Sequence, residues 1–126
     1  MEQLTRAASD LQTKGRLIEI AMLMKKVDIR LSMEQFAALG RIMSFYLANM
    51  NLNGIDDKAI FYLLYQFYES KVRKKMLSMK QEVKFSLDMP QAWAMAAMLQ
   101  EMDLAVWPYE YVVKELIIRE IDHQTA

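Results

Sequence analysis

Apolar and polar residues alternate in two short stretches of this chain. Val27, Ile29 and Leu31 alternate with Asp28 and Arg30, and Val83, Phe85 and Leu87 alternate with Lys84 and Ser86. A period of two is what a half-buried strand requires, because successive side chains leave opposite faces of the backbone. Each run then meets a residue suited to start a helix. Ser32 and Asp88 can accept hydrogen bonds from the free amides of a first helical turn, and Gln35 and Gln91, three residues on, stand where a capping box places its return bond. Pro90 falls early in the second of these helices, where its missing N–H costs nothing. The pattern predicts two strands, each feeding directly into a helix.

The first helix is expected from about Met33 to Met50, burying Phe36, Leu39, Gly40, Met43, Leu47 and Met50 at the three-and-four spacing of one face. The second, from about Met89, offers Ala92, Trp93, Met95, Ala96, Leu99 and Met102. The turn Asn51-Leu52-Asn53-Gly54 ends the first helix, and another helix is expected from Asp56 or Asp57 to about Met79. Trp107 and Pro108 mark a break after the second helix. A last helix follows, with Glu110 and Lys114, and Glu115 and Arg119, spaced for ion pairs along its own surface. Leu4, Ala8, Leu11, Gly15, Ile18 and Met22 follow a heptad-like spacing and predict an N-terminal helix.

A shift of 56 positions lays Val27 over Val83, Ile29 over Phe85, Leu31 over Leu87, Met33 over Met89 and Gln35 over Gln91. The fold class that follows is mainly α with a short two-stranded β-ribbon (α+β). Its organisation reads as a tandem strand-helix-helix repeat with pseudo-two-fold symmetry plus an N-terminal helix. One domain is expected over residues 1–126, made of the N-terminal helix 1–24, a first unit 25–80 and a second unit 81–126. An antiparallel ribbon with four helices beneath it is the economical arrangement, since a lone pair of strands is marginal in water. The pattern does not by itself fix the direction of pairing.

Composition narrows the chemistry. The 126 residues match the usual size of one domain and suffice for a core without staples. There is no cysteine, hence no thiolate nucleophile, Cys-based zinc site or disulfide. His123 is the single histidine and lies in a polar C-terminal stretch, and the three glycines, Gly15, Gly40 and Gly54, are too scattered for a phosphate-binding loop. Glu101 and Asp103, two apart on a helix, point to different sides. No catalytic residue, metal site or cofactor is expected, and the chain reads as non-enzymatic. Glu2, Arg6 and Asp10 deny the first residues the apolar core of a secretory signal, and no uncharged run is long enough to span a bilayer, so a cytoplasmic location without a membrane span is expected.

Two surfaces stand out. In the aromatic run 59–70, Ile60, Leu64 and Phe67 form one helical stripe. Phe61, Tyr65, Tyr68, Val72 and Met76, continuing to Met79, form another. A helix apolar on two sides is central or shared with a partner, and tyrosine and methionine suit interfaces. Charge is also uneven: residues 1–84 hold fourteen Lys and Arg against nine acids, residues 85–126 two against seven. The function these features predict is a helical protein-interaction module that self-associates into a homo-oligomer or binds another protein.

The strand followed by two helices, twice over residues 27–79 and 83–122, resembles the ribbon-helix-helix class of DNA-binding proteins. That resemblance implies a fused pseudo-dimer whose ribbon reads the major groove through its outward residues Asp28, Arg30, Lys84 and Ser86. Lys71, Lys74 and Lys75, near one helical face, could then meet phosphates. Asp56 and Asp57 depart from the pattern, because they occupy the helix start that this class uses to hold a phosphate. DNA binding is therefore the alternative function, with nucleic acid as its partner.

Overall fold

In the computed structural model, residues 25–78 and 80–125 are described; the expected N-terminal helix over 1–24 and Met79 lie outside them. Strand β1 (Lys26–Ser32) runs into helix α1 (Met33–Asn49). Helix α2 is continuous but not uniform: an α-helical stretch Ile55–Phe67, a π-helical turn Tyr68–Val72 and a last α-helical turn Arg73–Met76. Strand β2 (Glu82–Asp88) runs into α3 (Met89–Glu101), and α4 (Pro108–Thr125) closes the order. The described chain is thus mostly helical with one two-stranded antiparallel sheet.

Both predicted capping boxes form. Ser32 Oγ accepts from the Gln35 amide at 3.1 Å while Gln35 Oε1 accepts from the Ser32 amide at 2.9 Å, and Asp88 and Gln91 repeat the exchange at 2.8 and 3.0 Å. The ribbon is paired symmetrically about its middle: Ile29 faces Phe85, with Val27 opposite Leu87 and Leu31 opposite Val83. All six are buried, and their neighbours Asp28, Arg30 and Lys84 are exposed. The alternation read from the sequence therefore separates a core face from a solvent face.

The helices do not pack as two side-by-side units. α2, from the first unit, packs chiefly on α3 of the second, and α1 is shared between α2 of its own unit and α4 of the second. The ribbon's edges are closed in the same crossed manner. At the end of α4, the Gln124 side chain accepts from the Asp28 amide at 2.8 Å and donates to the Asp28 carbonyl at 2.6 Å. At the end of α2, Lys75 Nζ donates to the Lys84 carbonyl at 2.9 Å. Backbone groups that would otherwise template a further strand are thereby occupied.

Phe85 stands at the centre of the shared core. Its ring lies 5.7 Å from Phe36 of α1 and 5.5 Å from Phe67 of α2, tilted against both. Around this junction the core takes in residues of every element.

Several expectations about faces need correction. Trp93, read as part of the core stripe of α3, is 49% exposed, while Ala94 and Met98 are buried in addition to Ala92, Met95 and Leu99. α3 is covered by α2, α4 and the ribbon, so it buries a wide arc and leaves the Trp93 side to water. Glu110 pairs not with Lys114 but with Arg41 of α1 at 3.1 Å, and Lys114 donates to the Met102 carbonyl at 2.8 Å.

At the far end of the bundle, the Tyr46 hydroxyl donates to Glu101 Oε2 at 3.0 Å and ties the last turn of α1 to that of α3. Burial first, and then the bond to Glu101 and its charge, push the Tyr46 phenol up to about 12. The folded protein therefore holds this proton to higher pH than the unfolded chain. Its contribution to stability is complete below the ordinary value of 10.0 and is lost as pH rises toward 12. Tyr46→Phe is expected to cost about 1 kcal/mol at neutral pH. It should also remove a loss on the order of 1–2 kcal/mol that the native protein shows over that alkaline range. Urea unfolding of both proteins at several alkaline pH values checks this; parallel pH profiles would show that the phenol is not coupled to folding.

Candidate functional site

The π-helical turn of α2 decides which residues reach the surface. Ile60, Leu64 and Phe67 are buried at α-helical spacing, and the next core position is Val72, five residues on, instead of Ser70 or Lys71. In the widened turn the Arg73 amide donates to the Tyr68 carbonyl. One extra residue thus keeps Lys71 in water and brings Val72 inward, a local rearrangement of the kind often found at functional positions.

This splits the predicted interface stripe. Val72 is buried and packs opposite Gly40, where a Cβ would stand 3.5 Å from Val72 Cγ1, so it belongs to the core stripe and offers no exposed surface. Phe61 and Tyr65 stack on one another at 5.9 Å on a separate, partly exposed side of α2. Tyr68 and Met76 turn toward α1 and line a cleft.

That cleft, about 850 Å³, has a floor of small residues from α1: Ala37, Gly40, Ser44 and Ala48. One wall is the end of α2, with Tyr68, Met76 and Leu77, and the other is the start of α4, with Trp107 and Glu110. Phe45, Leu77 and Trp107 are all more than half exposed at its edge, Leu77 at 83%. None of the three belonged to the predicted interface. A signal for Phe45 was present, since it lies beside Arg41, Ser44 and Ala48 on the side of α1 opposite the core stripe, where an aromatic residue has no core to fill. Val106, in the turn before α4, and Tyr109 and Val112 on α4 are also exposed.

A second concavity, about 640 Å³, lies over the outward face of the ribbon. Lys71 and Lys75 of α2 flank it on the β2 side, Leu116 and Glu120 of α4 on the β1 side, and Asp28, Arg30, Lys84 and Ser86 form the floor. Five of the six residues predicted for nucleic-acid contact, Arg30, Lys71, Lys75, Lys84 and Ser86, therefore meet in one trough; Lys74 is exposed outside it. The two surfaces flank the same π-helical turn, with Tyr68 lining the cleft and Lys71 lining the trough.

Among the described residues no group of three or more His, Asp or Glu side chains is placed to hold a metal ion. No helix among them is long and apolar enough to cross a membrane. His123 is exposed near the end of α4. No protein-family model, curated protein or solved structure matches this chain.

Proposed function

We propose that this chain is a non-enzymatic protein-interaction module that self-associates, with the cleft on α1 receiving exposed apolar side chains of a second copy. The observation that carries this reading is the apolar edge of the cleft: Phe45, Leu77 and Trp107 stand exposed around a floor of small residues. A contiguous exposed apolar surface of this kind marks an interaction site. A cleft edged by exposed apolar side chains suits an isologous contact, in which each copy supplies both the cleft and the side chains that enter it.

Major-groove reading by the ribbon has less support. Arg30 Nε pairs with Glu82 at 2.8 Å and the Ser86 hydroxyl donates to Asp28, so the outward side chains are engaged with one another. The start of α2 lies twenty residues, about 30 Å of helix, from the turn where Lys75 meets the ribbon. Phosphate contacts at that helix start would sit far from a duplex seated on the ribbon.

Light scattering on the native protein across micromolar concentrations is expected to give twice the chain mass of 14.8 kDa. Phe45→Glu with Leu77→Glu should return the single mass while leaving the far-ultraviolet circular dichroism unchanged, because both side chains are more than half exposed. Placing a charge in the contact should weaken it at least tenfold, or about 1.4 kcal/mol. A native protein that stays monomeric at the highest concentration defeats the reading.

A further inference from the structure

The trough over the ribbon concentrates positive charge in a chain whose formal net charge is zero. Four cations line it, Arg30, Lys71, Lys75 and Lys84, against two carboxylates, Asp28 and Glu120. Both carboxylates accept hydrogen bonds from neutral donors, Asp28 from the Ser86 hydroxyl and Glu120 from Gln124 Nε2 at 2.6 Å, which orient them and leave their charge in place, so the lining keeps an excess of two positive charges. Glu82, at the end of β2, is engaged by Arg30. Among the described residues the ion pairs are Arg30 with Glu82, Arg41 with Glu110 and Arg73 with Glu69, which leaves Lys71 and Lys84 without one. Lys75 is held by a neutral carbonyl, so its position is fixed while its charge stays uncompensated.

We propose that this trough seats the phosphate ridge of a nucleic-acid duplex, independently of its base sequence. Three observations select this ligand among polyanions. Each ribbon edge is interrupted at its middle, by Gln124 on Asp28 and by Lys75 on Lys84, so an acidic peptide adding as a strand would forgo the central main-chain hydrogen bonds. Among the described residues the only aromatic one lining the trough, Phe85, is buried, so it offers the bases of a single strand no stacking platform. The ribbon lies at the bottom of the trough between two helix ends, with its outward side chains tied to one another, which suits a rounded phosphate ridge and not insertion into a groove to read base edges. Ammonium groups serve as point charges for phosphate, without the planar specificity of a guanidinium fork.

The test is fluorescence anisotropy of a labelled random-sequence DNA duplex titrated with the full chain. If the four cations each neutralise one phosphate, the affinity should fall with a logarithmic salt slope of about −3.6, or roughly 150-fold between about 50 and 200 mM salt. Lys71→Glu with Lys84→Glu should lower the affinity at low salt at least tenfold and roughly halve the slope. Lys71→Gln with Lys84→Gln should do the same to a smaller degree, in case the charge reversal perturbs folding. Lys58→Glu, an exposed change near the start of α2 and remote from the trough, should leave binding within twofold. No binding at about 50 mM salt, equal losses from Lys58→Glu, or equally tight binding of polyglutamate would each overturn the proposal. The dimer mass does not enter the assay, so its outcome is separate from that of the cleft.

Discussion

Phe85→Ala is expected to destabilise the protein by about 3–5 kcal/mol, the usual cost of deleting a buried aromatic side chain. The value should lie near the upper end, since two aromatic contacts go with it, each worth about 0.5–1.5 kcal/mol beyond area burial. Phe85 is only 4% exposed and touches both Phe36 and Phe67, so its ring joins β2 to α1 and α2 at once. Opposite it in the ribbon stands Ile29, which would then line a cavity. A domain of this size is stable by only about 5–15 kcal/mol, so the variant would be close to unfolding at room temperature. In a urea titration its midpoint should fall steeply with the slope unchanged. Phe85→Leu, which keeps much of the volume but loses both aromatic contacts, should cost less than the alanine variant, about 1–3 kcal/mol. A loss below 1 kcal/mol for the alanine variant would mean that the ribbon is held to the helices elsewhere.

Phe85 was legible in the sequence as the middle of an alternating run, and so were its partner strand, the two capping boxes and the helix beginning at Pro108. All of these are local signals, set by side chains within three or four positions of one another. What the sequence hid is non-local or depends on how residues are counted. Val72 was placed on the wrong stripe because a spacing of 3.6 was carried through Tyr68–Val72, where the helix widens by one residue. Trp93 was placed inside because Ala and Met around it look equally apolar, and only the positions of α2 and α4 decide which side of α3 is covered. The cleft was missed since its floor is made of small residues and its walls come from two other helices. The cations of the trough were each visible, but Arg30, Lys71 and Lys84 lie on three elements, and nothing in the spacing said that the end of α2 returns to the ribbon.

The crossed packing carries the largest expected effect. If the chain is produced as two fragments divided in the turn between α2 and β2, one through residue 80 and the other from residue 81, neither should fold alone. Each fragment would carry one strand with no partner, and a single strand cannot satisfy its ladder. Each would also lose a large part of the cover on its first helix: α1 would keep α2 but lack α4, and α3 would keep α4 but lack α2, its main neighbour. Val27, Ile29 and Leu31 would lose the three residues that face them, and Phe36 and Phe67 would lose Phe85. Helices of 13 to 22 residues owe most of their stability to packing of their apolar faces, so most of the helical signal should vanish with it. Circular dichroism of the separate fragments at low micromolar concentration should therefore show largely unfolded chains, and mixing them in equal amounts should restore the helical spectrum and a cooperative melt. Sequence order suggests two consecutive strand-helix-helix units, but the contacts bind the first helix of each to the second helix of the other. A fragment that melted cooperatively as a monomer would show instead that a unit holds its own core and that the crossed contacts are secondary to it.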